Sequence, residues 1–141
     1  MNTLLEFSIA TLLAGIVVLI HYEALRLTSL MELNFAPRKR ILVVIYTAFI
    51  AHVIEIMLYA FSYQVIAEWI GSGSLGGQEA ASFYDYFYYS MATYTTLGIG
   101  DFYPLEGLRL LTGMESLIGL MMITWTASFT YLTMEKFWKL H

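Results

Sequence analysis

Apolar residues in this chain gather into three long blocks. They run roughly from Leu4 to Leu30, from Ile41 to Ile70 and from Gly107 to Met134, and no proline interrupts any of them. About 20 helical residues cross a bilayer, so each block predicts a membrane-spanning helix. A fourth block, 82–94, is too short to cross. Ser82 offers an N-cap and Asp85, three residues on, completes a capping box. Tyr84, Phe87, Tyr88 and Met91 then follow at helical spacing. The pattern predicts a short helix that re-enters the membrane from the side on which the second block emerged. Between them, Gly71 to Gly77 reads by composition as a flexible linker.

Composition supports the membrane reading. The 141 residues are 59% hydrophobic and 13% charged, with no cysteine. Soluble domains average about a quarter charged residues. A disordered chain, a nucleic-acid binder and a disulfide scaffold are excluded, and a water-soluble globule is disfavoured. The first block lacks the basic flank and small-residue cleavage pattern of a signal peptide. The length predicts one domain, with no soluble ligand-binding domain.

Charge predicts orientation. Arg26, Arg38, Lys39, Arg40, Lys136 and Lys139 fall on one side of the three spans, and Arg109 on the other. By the positive-inside rule the N-terminus lies outside, the 31–40 loop inside, the 71–106 region outside and the C-terminus in the cytoplasm. No span repeats Arg or Lys at every third position, so an arginine-rich voltage sensor is not expected.

After the short helix comes Thr95-Thr96-Leu97-Gly98-Ile99-Gly100-Asp101. Gly98 and Gly100 can take positive φ. A strand of alternating handedness turns successive carbonyls to one side, and four such strands around an axis make stacked rings of oxygen. Such rings replace the hydration shell of a bare cation. Irregular backbone at membrane depth is tolerated where it is buried or lines a wet path. The short helix aims its negative end at the same place.

The run from Tyr88 to Pro104 resembles the pore helix and selectivity filter of potassium channels. The similarity extends over 41–138 and is nearest to the prokaryotic two-helix pore module. The resemblance implies an outer helix at 41–70, a turret at 71–81, a pore helix at 82–94, a filter at 95–101 and an inner helix at 105–138. Residues 1–40 are an extra N-terminal helix and a basic loop. It implies that Thr96, Leu97, Gly98, Ile99 and Gly100 bind K+, with Tyr89, Thr95, Asp101 and Glu115 supporting the filter. Two positions depart from the family. Ile99 stands where an aromatic is usual, and Ala92 where some members have Glu. Tyr89 takes the place of a pore-helix Trp and is expected to bond Asp101 instead.

Other polar residues sit within the spans. Gly119, mid-span, is a candidate gating hinge or a point of close helix packing. Glu115 is an intramembrane carboxylate and so a functional candidate. Met121, Met122, Thr126, Phe129 and Thr133 are expected to include cavity-lining positions. His52 and Glu55 share a helix face. Antiparallel packing puts His21 at the depth of His52. Two imidazoles and a carboxylate suit a metal ion or a proton sensor. The plainer reading is a hydrogen-bonded link that docks the first helix. Glu23 and Arg26 read as a local ion pair.

The sequence thus predicts an all-α integral membrane protein with three transmembrane helices and a re-entrant pore loop, assembled as a C4 homotetramer among membrane lipid. Passive K+ conduction across the cell inner membrane is the expected function, with K+ in the filter, no organic cofactor, no enzymatic step and no nucleic-acid partner. A weakly selective monovalent cation channel and an intramembrane His/Glu metal-binding protein are the alternatives.

Overall fold

A computed structural model describes residues 3–31, 37–78 and 82–137. Helix α1 runs Thr3–Met31 and α2 runs Pro37–Gln64. The last turn of the second span, Val65–Ile70, widens to π-helix and stops at Gly71, whose φ of 66° is left-handed. Strand β1 (Gly73–Gly77), helix α3 (Phe83–Tyr94), strand β2 (Phe102–Glu106) and helix α4 (Leu108–Phe137) complete the order. Three helices are long and apolar enough to cross a membrane: Thr3–Leu30, Lys39–Ile70 and Leu108–Lys136. The molecule is an all-α, multi-pass membrane protein. Residues 32–36 of the basic loop, 79–81 of the turret and 138–141, with Lys139, lie outside the described residues.

Two expectations need correction. Gly71–Gly77 is not simply a flexible linker. Its last five residues pair antiparallel with β2, Gly73 opposite Glu106 and Gly77 opposite Phe102. The reading from composition ignored the partner. A Gly-rich backbone still forms a ladder once a strand lies beside it, because the ladder satisfies N–H and C=O groups. For the same reason the inner helix starts at Leu108, since 105–106 belong to β2. The ribbon ties the end of the second span to the start of α4.

The core explains how α3 is held. Ala10, Leu13, Ala14 and Val17 of α1, Ile56, Tyr59, Ala60 and Tyr63 of α2, Tyr86, Tyr89 and Tyr94 of α3, and Leu108, Leu111, Ile118 and Met122 of α4 form one buried cluster. Small residues four apart, Ala10 and Ala14, let α1 approach closely, as is common between membrane helices. α3 packs on both α2 and α4, and α1 also packs on both. The outer faces stay apolar: Leu12, Leu19, Phe49 and Leu120 are all exposed.

Candidate functional site

Ser82 starts α3. Its N–H donates to Asp85 Oδ2 at 3.0 Å and its hydroxyl to the same oxygen at 3.2 Å. The other end feeds directly into the irregular segment. Thr96 N–H donates to Thr93 O at 2.9 Å, and Leu97 and Gly98 N–H both reach Ala92 O, at 2.9 and 3.2 Å. Three successive amides are therefore tied back to the last helical turn. Thr95 caps the helix in an ordinary right-handed conformation, with its hydroxyl on Met91 O at 2.7 Å.

The backbone then alternates. Thr96, Gly98 and Gly100 have φ of 57°, 57° and 87°, while Leu97 and Ile99 are not among the positive-φ residues. The two glycines were legible from sequence. Thr96 was not, because a β-branched residue avoids this region at a cost of roughly 1–2 kcal/mol. The hydrogen bond that the Thr96 N–H donates to the Thr93 carbonyl holds it there. Leu97 and Ile99 are 65% and 56% exposed in the single chain.

Asp101 follows. Its Oδ1 accepts from Phe102 N–H at 3.0 Å and its carbonyl takes Gln78 N–H at 3.3 Å. The expected bond from Tyr89 is not made. The Tyr88 phenol reaches the Asp101 carboxylate, and that hydrogen bond, with some desolvation, holds Tyr88 above the ordinary phenol range. Tyr89, about 100° further round the helix, faces α4 and meets Thr112 Oγ1 at 2.8 Å.

Glu115 is fully buried behind the segment. Ser90 Oγ lies 2.5 Å from its Oε1 and 2.9 Å from Ile56 O. The Tyr63 hydroxyl donates to its Oε2. One carboxyl group thus joins α2, α3 and α4. Gly119 sits where α4 crosses the end of α3. A Cβ there would collide with the Tyr94 carbonyl oxygen and come within 2.9 and 3.0 Å of the Tyr94 C and Cα. α4 passes through Gly119 without a break. Of the proposed cavity-lining positions, Met121 is exposed, but Met122 and Thr133 are buried and Thr126 is turned toward α1 and α2.

The polar residues of the first two spans come together. His21, His52 and Glu55 each place a ligand atom within 4.8 Å of the others. His21 Nδ1 is 3.0 Å from Glu55 Oε1, and His52 Nδ1 is 3.4 Å from Glu55 Oε2. Two residues absent from the sequence reading of this cluster join it. The Tyr94 hydroxyl donates to Glu55 Oε2 and meets His52 Nδ1 at 2.9 Å. Thr126 Oγ1 lies 3.0 Å from His52 Nε2 and 3.1 Å from His21 Nε2. The signal for them was only positional, because both come from elements distant in sequence. Glu23 and Arg26 pair at 2.6 Å on the exposed side of α1.

Two spanning helices, a short helix wedged between them and an alternating-handed segment at its end define a pore-loop membrane protein. Residues 41–136, from α2 to near the end of α4, match a family model described as an ion channel. The chain belongs to that ion channel family. No curated protein and no solved structure matches it.

Proposed function

We propose that four copies of this chain assemble around an axis and conduct K+ selectively and passively across the cell inner membrane. The observation that carries the reading is the alternation at Thr96, Gly98 and Gly100, directly after the short helix. Alternating handedness stacks carbonyl oxygens on one side of the strand, and stacked oxygens from several chains replace a cation's hydration shell. Thr96, Leu97, Gly98, Ile99 and Gly100 supply those oxygens. Glu115, Tyr89 and Thr95 hold the short helix, and Asp101 fixes the outer mouth. The negative end of the short helix favours a cation beneath the filter.

One chain provides one strand, so a pore requires several copies. The exposed Leu97 and Ile99 side chains supply contact area for a neighbouring copy. The N-terminus lies outside and the C-terminus in the cytoplasm, by the positive-inside rule. No chemical step and no organic cofactor are involved.

Native mass spectrometry of the detergent-solubilised protein should give a tetramer. Gly98→Ala should keep the tetramer and abolish K+ flux from liposomes, because an L-residue resists the left-handed backbone at this position. Selective flux through Gly98→Ala would remove the filter assignment.

A weakly selective cation channel is the second reading. Ile99 favours it, since Ile offers no hydroxyl to hold the filter against the short helix.

A further inference from the structure

Five side chains close a ring. The links run from Glu55 to His21, from His21 to Thr126, from Thr126 to His52, from His52 to Tyr94 and from Tyr94 back to Glu55. The ring joins all four helices: α1 through His21, α2 through His52 and Glu55, α3 through its last residue Tyr94, and α4 through Thr126. His21 and Glu55 are wholly buried.

Protons can be counted around it. Each hydrogen bond needs one proton, so five links need five. Two neutral imidazoles, one tyrosine and one threonine supply four, and an ionised Glu55 supplies none. With four, the Glu55 carboxylate takes protons from Tyr94 and His21 Nδ1. His52 Nδ1–H then goes to the Tyr94 oxygen, and both Nε2 atoms present lone pairs to Thr126. Thr126 can donate to one of them, so one link is empty and the ring carries a buried negative charge. A fifth proton fills the last link and makes the ring neutral, whether it sits on an imidazole paired with Glu55 or on Glu55 itself. Burial disfavours both an unmade bond and a net charge.

We propose that this ring is a proton-binding site, and that its one labile proton sets how firmly α1 and α4 are clamped to the end of the short helix. The groups that face it are few among the described residues. α2 adds Tyr59 one turn from Glu55. α4 adds Glu115 further off and the indole of Trp125, whose ring lies 5.5 Å from His21. α1 and α3 add no further titratable side chain to it beyond His21 and Tyr94. Tyr94 precedes Thr95 and Thr96, and its carbonyl rests against Gly119. The clamp's place beside a filter rests on the channel reading, but the clamp itself does not.

The proton count gives a variant that separates the ring from its titration. Glu55→Gln supplies the missing proton from its amide. The amide donates to His21 Nδ1, His21 Nε2–H to Thr126, Thr126 to His52 Nε2, His52 Nδ1–H to Tyr94 and Tyr94 to the amide oxygen. All five links are made with no labile proton.

The test is thermal unfolding of the purified full-length protein in detergent, from about pH 6 to about pH 10, the range from the ordinary imidazole value upward. Above that value unfolded imidazoles are neutral, so the folded wild type holds one proton more than the unfolded chain. Its melting temperature should therefore fall as pH rises, until the ring proton has left. Glu55→Gln should fall less steeply than wild type, by the share of the one ring proton. A wild type that falls no more steeply than Glu55→Gln, or a stability that depends on added zinc or a chelator, would overturn the proposal.

Should Glu55→Gln not fold, nitrogen-15 spectra of histidine in a His141→Gln background decide, because only His21 and His52 then report. Loss of the ring proton leaves both imidazoles as Nδ1–H tautomers, whichever group had held it. One of the two imidazoles should therefore change its signals on the alkaline side, and unchanged signals from both would overturn the proposal.

Discussion

Gly119→Ala separates two roles for the middle of α4. A hinge needs glycine for its backbone freedom. A packing point needs it for the absence of a side chain. The geometry favours packing, because an added Cβ would strike the Tyr94 carbonyl and sit 2.9 and 3.0 Å from backbone C and Cα. Backbone has no rotamer with which to yield, so α4 must move off the short helix. Overpacking of this kind costs about 1–3 kcal/mol. Gly113 on the same helix is the control, since a Cβ there meets nothing within 4 Å. Both substitutions gain the same helix propensity, roughly 0.5–1 kcal/mol. That gain cancels between them, and the difference in stability is the overpacking alone. Thermal unfolding in detergent, followed by circular dichroism, should place Gly113→Ala at or above wild type and Gly119→Ala below Gly113→Ala by the equivalent of about 1–3 kcal/mol. Equal stabilities would refute the packing argument and return Gly119 to the hinge reading.

Ser90→Ala strips Glu115 Oε1 of its contact with α3 and should cost about 1–3 kcal/mol; chemical or thermal unfolding alongside Tyr63→Phe, which strips the other oxygen, would measure it. Ile99→Tyr should preserve or raise the K+ over Na+ preference, read as a reversal potential. A loss of permeation there would mean that the surroundings are built for Ile. Tyr88 is held above the ordinary phenol range by the bond to Asp101, so its contribution is present at and below that range and is lost only as pH rises through the raised value. Selectivity in wild type should therefore survive to about pH 10, the ordinary tyrosine value, whereas Tyr88→Phe should lower it throughout that range.

The three spans were legible because long apolar blocks have few other uses, and the start of α3 because Ser82 and Asp85 make a local motif. The left-handed glycines of the 95–101 segment, Gly98 and Gly100, were legible for the same reason: their chemistry is carried by the residue type. What the sequence concealed depended on neighbours. Gly73–Gly77 became a strand only because Phe102–Glu106 lies beside it. Tyr88 and Tyr89 are adjacent and chemically identical, and only the rotation of α3 decided which one reaches Asp101. His21, His52 and Glu55 were visible as a group by depth along two helices. Tyr94 and Thr126, which close the ring, arrive from elsewhere in the chain, and no local pattern announces them. Thr96 took a conformation its residue type disfavours, held by a bond to the preceding helix.

Ion flux tests the central claim most directly. The purified protein is placed in liposomes, and K+ and Na+ gradients are run in competition. The account predicts K+ flux that barium blocks, with little Na+ flux. Equal fluxes of the two ions, or none of either, would contradict it.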